Sequence, residues 1–328
     1  MKVVLVFRKK IAGRYSLENV FNPLKPYLNK NHKLKIYYTN GWKFLLKDIF
    51  FLRSMKADIY HIVGDVNYFS IFLPKRKTVL TIPDIGHYTQ NLKNFKKFFY
   101  KLLWIKLPIH SSFIVTTISK FSKKQILKTV KKNYQIKVIP CSFRKEIKFS
   151  KRKINKHKLK ILFIGTGKNK NLKSLINTAK FTNWKITIVG KISLHDKLLL
   201  KKYKIQYKNF INLSFKDIIK IYKVNDIMCF ISLHEGFGLP IIEAQKSGMP
   251  VVASNIEPIK SVAGNGALLV NPLKTRDIKK NILKIANNVN YRNQLVINGV
   301  KNIRRYQPSI IANQYNNIYK KLMKYYDS

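Results

Sequence analysis

Acidic residues are scarce in this chain. Fourteen Asp and Glu stand against 65 Lys and Arg in 328 residues, a formal net charge of +51. Such an imbalance points to polyanionic partners: nucleic acid, an anionic membrane surface or a phosphorylated substrate. Arginine is scarce as well, since 55 of the 65 basic residues are lysine. Sequence-specific nucleic-acid contacts favour the guanidinium fork, so lysine dominance argues for diffuse attraction. No aromatic-bearing RNA motif, helix-turn-helix pattern or zinc spacing accompanies the charge, and no specific nucleic-acid partner is expected. The two cysteines, Cys141 and Cys229, exclude a disulfide scaffold. Cys229 lies in an apolar run and reads as a small buried hydrophobe. The seven histidines, at 32, 61, 87, 110, 157, 195 and 234, lack ligand spacing, so no metal is expected. No run reaches about 18 apolar residues, so no transmembrane helix is expected. The stretch Val3–Phe7 is too short for a signal h-region and reads as a buried strand. The compartment expected from this is the cytoplasm.

Apolar residues are plentiful, at 46% with 12% aromatic, enough for packed cores and too many for a disordered chain. The length suggests two domains. The basic charge is spread over both halves and forms no tail. Much of the lysine could reflect an A/T-rich genome, which also favours Asn, Ile, Tyr and Phe; that bias does not explain why acids are so few. Short apolar runs at Val3–Phe7, Lys35–Tyr38, Ile59–Val63, Thr78–Ile82, Phe113–Ile118 and Lys137–Ile139 alternate with charged, partly periodic segments. That is the βαβ pattern of a parallel sheet. The basic stretch Arg144–Lys160 has few large apolar residues and reads as an inter-domain linker. The pattern then restarts, with strands at Lys160–Ile164, Lys185–Val189, Ile227–Ile231, Val251–Ala253 and Ala267–Val270. Helices fit at 171–181, 214–223, 241–247, 275–288 and 291–303. A last helix, Pro308–Tyr326, carries Ile310, Ile311, Tyr315, Ile318, Tyr319 and Leu322 at helical spacing and reads as a packing helix. The domains expected are 1–150 and 151–307, with 308–328 packing back on the first.

The chemistry is concentrated in Ser232-Leu-His-Glu-Gly-Phe-Gly-Leu-Pro-Ile-Ile-Glu243. A strand ends, a glycine-bearing loop follows, and Pro240 suits the first turn of a helix. Gly236 and Gly238 let the backbone approach a ligand closely, and the N–H groups of the helix start form an anion site. Glu235 and Glu243 bracket this loop. Read singly, they would be a surface acid and a first-turn helix acid. Two of only 14 acids flanking a glycine-rich turn after a strand favour a functional reading.

Glu235 to Glu243, with seven residues between, resembles the EX7E signature of retaining glycosyltransferases. The EGFGLP core is typical of glycosyltransferase family 4, which has the GT-B fold. The likeness continues through Ala244, Gly248, Pro250–Ser254, Val262-Ala263-Gly264 and Asn271-Pro272, and upstream in Ile161–Leu172, which is similar to the family's phosphate-contacting strand and loop. The N-terminal half matches by element order and by Thr81–Asp84, Thr117–Ser119 and Val138–Pro140. The resemblance implies an α/β fold of two Rossmann-like domains, with parallel sheets facing a donor/acceptor cleft. It implies a nucleotide-sugar donor and a lipid-linked or saccharide acceptor in surface polysaccharide or lipopolysaccharide synthesis. On this likeness Glu243 binds ribose hydroxyls, a role that suits a carboxylate because it accepts several hydrogen bonds. Glu235 contacts donor-sugar hydroxyls, and the backbone of Gly236, Phe237, Gly238, Leu239 and Pro240 holds sugar and phosphates. Lys170, just after Gly165, neutralises the diphosphate leaving group. Metal is then not needed. The family is generally thought to use same-face substitution, so no covalent nucleophile is assigned.

Several positions depart from the family pattern. Pro83 stands where members often carry histidine; His87, four residues later, is the candidate substitute. Thr166 replaces an arginine, and Lys168 could stand in for it. Ser261 replaces a frequent glutamate. The early glycine-rich loop is reduced to Gly13 with Arg14, the candidates for acceptor and phosphate contacts. These departures leave open a non-catalytic binding protein of the same fold, and the charge alone leaves open nucleic-acid binding.

Two N-terminal segments interleave aromatics with lysine. Asn91–Pro108 sets Leu92, Phe95, Phe98, Phe99, Leu102, Leu103 and Ile105 among Lys93, Lys96, Lys97, Lys101 and Lys106; Trp42–Arg53 is a shorter version. They read equally as core-facing helices with a solvated lysine face or as interfacial helices docking on anionic lipid, where each basic residue adds about 1 kcal/mol. The second reading makes the protein peripheral on the inner face of the cytoplasmic membrane.

Overall fold

The computed structural model describes residues 1–9, 16–90 and 92–327. Contacts divide the chain into two compact units, residues 1–142 with 307–328, and residues 143–306. Each is an α/β layer structure around one parallel sheet. The first sheet holds β1 (Lys2–Phe7), β2 (Lys33–Tyr38), β3 (Ile59–Val63), β4 (Thr78–Thr81), β5 (Ile114–Thr117) and β6 (Ile136–Val138) in the order β2-β1-β3-β4-β5-β6. The second holds β7 (Lys160–Ile164), β8 (Lys185–Val189), β9 (Gln206–Phe210), β10 (Ile227–Phe230), β11 (Val251–Ser254) and β12 (Leu268–Val270) in the order β12-β11-β10-β7-β8-β9. Helices cover both faces, which is why central strands such as β1, β3 and β10 are continuous apolar runs rather than alternating ones.

The two units repeat one device. Asp58, just before β3, accepts the backbone N–H of Lys2 at 2.7 Å, and Asp226, just before β10, accepts that of Lys160 at 2.8 Å. In each case the Asp N–H donates back to the carbonyl of the same lysine. The first strand of each sheet is thereby registered against its neighbour by a side chain as well as by the ladder.

Three features differ from the sequence pattern. β9 was not expected; its sequence, QYKNF, is polar because it is an edge strand exposed on one face. The helix Leu194–Lys202 is likewise new: its apolar positions Leu194 and Leu198 face outward and only Leu200 is deeply buried. The stretch after Arg144 is no free linker. Residues 143–150 belong to the second unit, Ile147 enters its core, and Ser150 N–H donates to the Ser247 carbonyl. The Arg152 guanidinium is buried and donates to the carbonyls of Tyr222, Asn225, Ser150 and Ser247 and to Ser247 Oγ. Local composition reads as a linker there because arginine, rather than apolar side chains, makes the contacts.

The C-terminal helix Pro308–Asp327 belongs to the first unit, burying Ile311, Ala312, Tyr315, Ile318, Tyr319 and Leu322 beside Phe21, Leu24 and Leu28. Ile310 departs from the expected stripe and is exposed. Two buried histidines fasten the helix. His61 Nδ1 meets the Tyr319 hydroxyl and its Nε2 meets Thr81 Oγ1, both at 2.7 Å; His32 Nε2 meets Asn316 Oδ1 at 2.9 Å. Burial pushes His61 down to about 3, so its imidazole is neutral in the folded unit.

The two aromatic–lysine segments are not core-facing throughout. Leu46 is 81% exposed, Phe50 77% and Phe95 73%; Phe44, Phe51, Phe98 and Phe99 are also exposed. Asn91 lies outside the described residues. The segments meet in one unit: Trp42 stacks on Trp104 at 5.9 Å, and Trp104 stacks on Tyr100 at 5.4 Å. Buried Asp48 fixes the start of the first segment, accepting from the Tyr37 hydroxyl, Asn40 N–H and Asn40 Nδ2.

Candidate active site

In the second sheet the chain leaves β7 toward β8 on one side and leaves β10 toward β11 on the other, while β7 and β10 lie side by side. This is a topological switch point, where the loops beyond the strand ends separate and open a crevice. The loop after β7 carries Gly165, Lys168 and Lys170; the loop after β10 carries Glu235 to Pro240.

Backbone bonds lock these loops together. Leu233 N–H donates to the Asn169 carbonyl at 2.7 Å, and Asn169 Nδ2 donates to the His234 carbonyl at 3.0 Å. Asn171, in a left-handed conformation, donates to the carbonyls of Ile231 and Pro272. The loops after β7, β10 and β12 thus share one asparagine. The result is an ion pair: Lys170 Nζ lies 2.5 Å from Glu235 Oε1, with side chains 22% and 12% exposed. Lys170 also sits 5.3 Å from the centre of the Phe230 ring. Gly165 makes this possible. Its φ is +92°, and a Cβ there would lie 2.8 Å from Lys170 Cε. Gly238, φ +114°, turns the chain into the helix Leu239–Lys246, whose second residue is Pro240. The Phe237 side chain points into the unit and meets Tyr306 edge-on.

Glu243 lies one turn further along that helix and is deeper, with its side chain 3% exposed. Arg144 Nη1 donates to Oε1 at 2.7 Å and the Tyr222 hydroxyl donates to Oε2 at 2.8 Å. Burial raises the Glu243 carboxyl above its ordinary range, and Arg144 opposes the rise. The Tyr222 hydroxyl is held firmly protonated by burial beside this carboxylate.

Residues 144–302 match the family model described as glycosyl transferases group 1. The match spans nearly all of the second unit and a little under half of the chain. The whole chain is 24% identical over 302 residues to the O-antigen chain mannosyltransferase B of Escherichia coli, covering 83% of this chain and 76% of that one. It is 28% identical over 208 residues to the O-antigen chain mannosyltransferase RfbU of Salmonella typhimurium, covering 60% of this chain and 57% of the relative. The fold is that of solved GT-B glycosyltransferases. WaaG, a glycosyltransferase involved in lipopolysaccharide biosynthesis, superposes with a TM-score of 0.73 at 11% identity over 97% of this chain and 99% of the other, and Anabaena HepE in complex with UDP and glucose with a TM-score of 0.74 at 14% identity over 98% of this chain and all of the other.

Within the second unit, Glu235, Lys170, Gly165, Lys168, Gly236, Phe237, Gly238, Leu239, Pro240 and Glu243 fall on two adjoining loops and one helix. Lys168 is exposed on the turn before Lys170. The Thr166 hydroxyl donates to the Lys191 carbonyl. His87 belongs to the first unit, where it is exposed and meets Tyr100 edge-on. Gly13 and Arg14 lie outside the described residues. Among the described residues no group of three or more His, Cys, Asp or Glu converges as metal ligands. Motif reading did not single out Arg144, Tyr222, Asn169 or Asn171. Arg144 is 99 residues from its partner, so no local signal marks it. Asn171 had one: an asparagine four residues after Gly167, just ahead of a helix, suits a left-handed position.

Proposed function

We propose that this protein is a retaining, metal-independent glycosyltransferase that moves a sugar from a nucleotide sugar to a lipid-linked saccharide in surface polysaccharide synthesis. The observation that carries the reading is the juxtaposition of Lys170, Glu235 and the start of the helix Leu239–Lys246 at the switch point of a unit that matches the group 1 family model. Breaking the sugar–phosphate bond builds positive charge on the sugar and negative charge on the departing diphosphate. A fixed lysine and a helix N-terminus stabilise the second. Glu235, already beside Lys170, is placed for the sugar hydroxyls, and Glu243 for the ribose. Lys168 adds positive charge on the same loop, while His87 is assigned the donor-sugar or proton-handling role of the histidine that Pro83 replaces, and Gly13 with Arg14 the acceptor and phosphate contacts.

The relatives named as mannosyltransferases make mannosyl nucleotides the first donors to test. Release of nucleoside diphosphate from a panel of nucleotide sugars should appear with wild type and fall sharply with Glu243→Ala. If wild type neither binds nor turns over any nucleotide sugar, the reading fails. The exposed aromatics Phe50 and Phe95, with the exposed Lys43, Lys47, Lys93 and Lys96 of the same two segments, are assigned to the anionic inner membrane surface, where the acceptor would reside. No helix among the described residues is long and apolar enough to cross a membrane.

A further inference from the structure

Glu243 is a buried charge held by two residues that the donor reading leaves without a role. Arg144 opens the second unit and Tyr222 lies near the end of the helix Phe215–Val224. An ionised carboxylate at this depth is costly unless a cation and further donors satisfy it. Arg144 supplies the cation at 2.7 Å on one oxygen, and Tyr222 supplies a hydroxyl at 2.8 Å on the other. Because each donor takes a different oxygen, the two together fix the plane of the carboxylate as well as its charge. The Arg144 side chain is itself only 11% exposed, so it is not a mobile surface cation. Tyr222 is fully enclosed.

We propose that Arg144 and Tyr222 are positioning residues for the donor, holding the Glu243 carboxylate in the orientation in which it meets the ribose hydroxyls of a nucleoside diphosphate. This rests on the reading of Glu243 as the nucleotide-ribose contact. A carboxylate has about four lone-pair sites, and the Arg144 guanidinium and the Tyr222 hydroxyl take one on each oxygen. Each oxygen keeps acceptor capacity for the ribose, in a plane that the two donors fix.

The test measures calorimetric Kd values of the full-length protein for UDP, GDP, ADP, CDP and dTDP, carrying the tightest forward. Variants are Glu243→Gln, Arg144→Gln, Arg144→Lys, Tyr222→Phe and the double change Arg144→Gln/Glu243→Gln. Hydrogen bonds to charged groups typically matter by roughly 10–100-fold in affinity. Arg144→Gln should therefore weaken binding to the level of Glu243→Gln, and Arg144→Lys should recover part of the loss by restoring the charge without the fork. The double variant should bind no worse than Glu243→Gln alone, since both changes remove one unit. Wild-type affinity in Arg144→Gln, or additive losses in the double variant, would overturn the inference while sparing the donor reading. Wild-type affinity in Glu243→Gln, or no binding of any nucleotide by wild type, would overturn the donor reading and the inference with it. Should Arg144→Gln fail to fold, Tyr222→Phe, which removes one oxygen atom, carries the same cycle with Glu243→Gln.

Discussion

Replacing Gly165 with alanine separates the architecture of the donor loop from its charge. Two costs follow from the geometry. At φ +92° an L-residue is strained, by about 1–2 kcal/mol. The new methyl would also stand 2.8 Å from Lys170 Cε and 3.1 Å from both Cδ and Cγ, so the lysine stem must shift by a few tenths of an ångström, which disturbs the seating of Lys170 Nζ against Glu235. The strain lowers stability and should reduce the Tm by roughly 2–8 °C for a domain of this size. The displaced lysine lowers catalysis: losing one preorganised group at a developing anion typically costs about 10²–10³ in kcat. The assay is nucleoside-diphosphate release under donor saturation for Gly165→Ala, Lys170→Ala and the double variant, with thermal unfolding of each. Gly165→Ala should show a kcat close to that of Lys170→Ala. The double variant should be no slower than Lys170→Ala, because the methyl then meets empty space. A kcat for Gly165→Ala within twofold of wild type would refute the claim that Gly165 exists to seat Lys170.

Acidification should loosen the first unit through His61. Its folded value lies near 3 against an ordinary 6.5, so the unfolded chain binds the extra proton between those limits. Stability is then complete above pH 6.5 and falls by about 1.4 kcal/mol per pH unit below it, about 5 kcal/mol by pH 3; chemical unfolding of wild type against His61→Gln should show the slope flattened in the variant, and equal slopes would contradict it. Arg152→Met should destabilise the second unit by about 3–5 kcal/mol, because it leaves the carbonyls of Tyr222 and Asn225 without their donor and that of Ser247 with the Ser150 N–H alone; an unchanged Tm would show that water replaces the guanidinium. Leu46→Ser/Phe50→Ser/Phe95→Ser should abolish co-flotation with vesicles containing anionic lipid while leaving the Tm within about 2 °C, since all three side chains are more than 70% exposed. Equal flotation of wild type with neutral and anionic vesicles would sink the membrane assignment.

Much of the fold was legible because central parallel strands are read directly as apolar runs. β1, β3, β7 and β10 each stand out as four to six consecutive apolar or near-apolar residues bounded by polar ones. β9 was not legible, because an edge strand needs no such run. The donor loop was legible for a different reason: glycines at Gly165 and Gly238 and a proline at Pro240 mark backbone conformations that local chemistry alone demands. The scarce acids were legible as signals but not as partners. Asp58 and Asp226 proved to register strands, Asp48 to fasten a loop, and Ser193–Asp196 and Ser214–Asp217 to cap helices.

By itself, the sequence determined the class of the protein: two parallel α/β halves, a glycine-bearing loop between Glu235 and Glu243, and a lysine after a strand-terminal glycine. These are local properties, set by periodicity, turn chemistry and spacing along the chain. Only the tertiary structure decided which cation meets which acid. With 65 basic residues to choose from, the sequence gives no reason to prefer Lys170 for Glu235 or Arg144 for Glu243. Sheet order makes that choice, by placing β7 beside β10 and laying the segment after Ser142 against the helix that carries Glu243. Charge acts over ångströms of space rather than residues of sequence, so the pairing appears only once the chain has closed on itself.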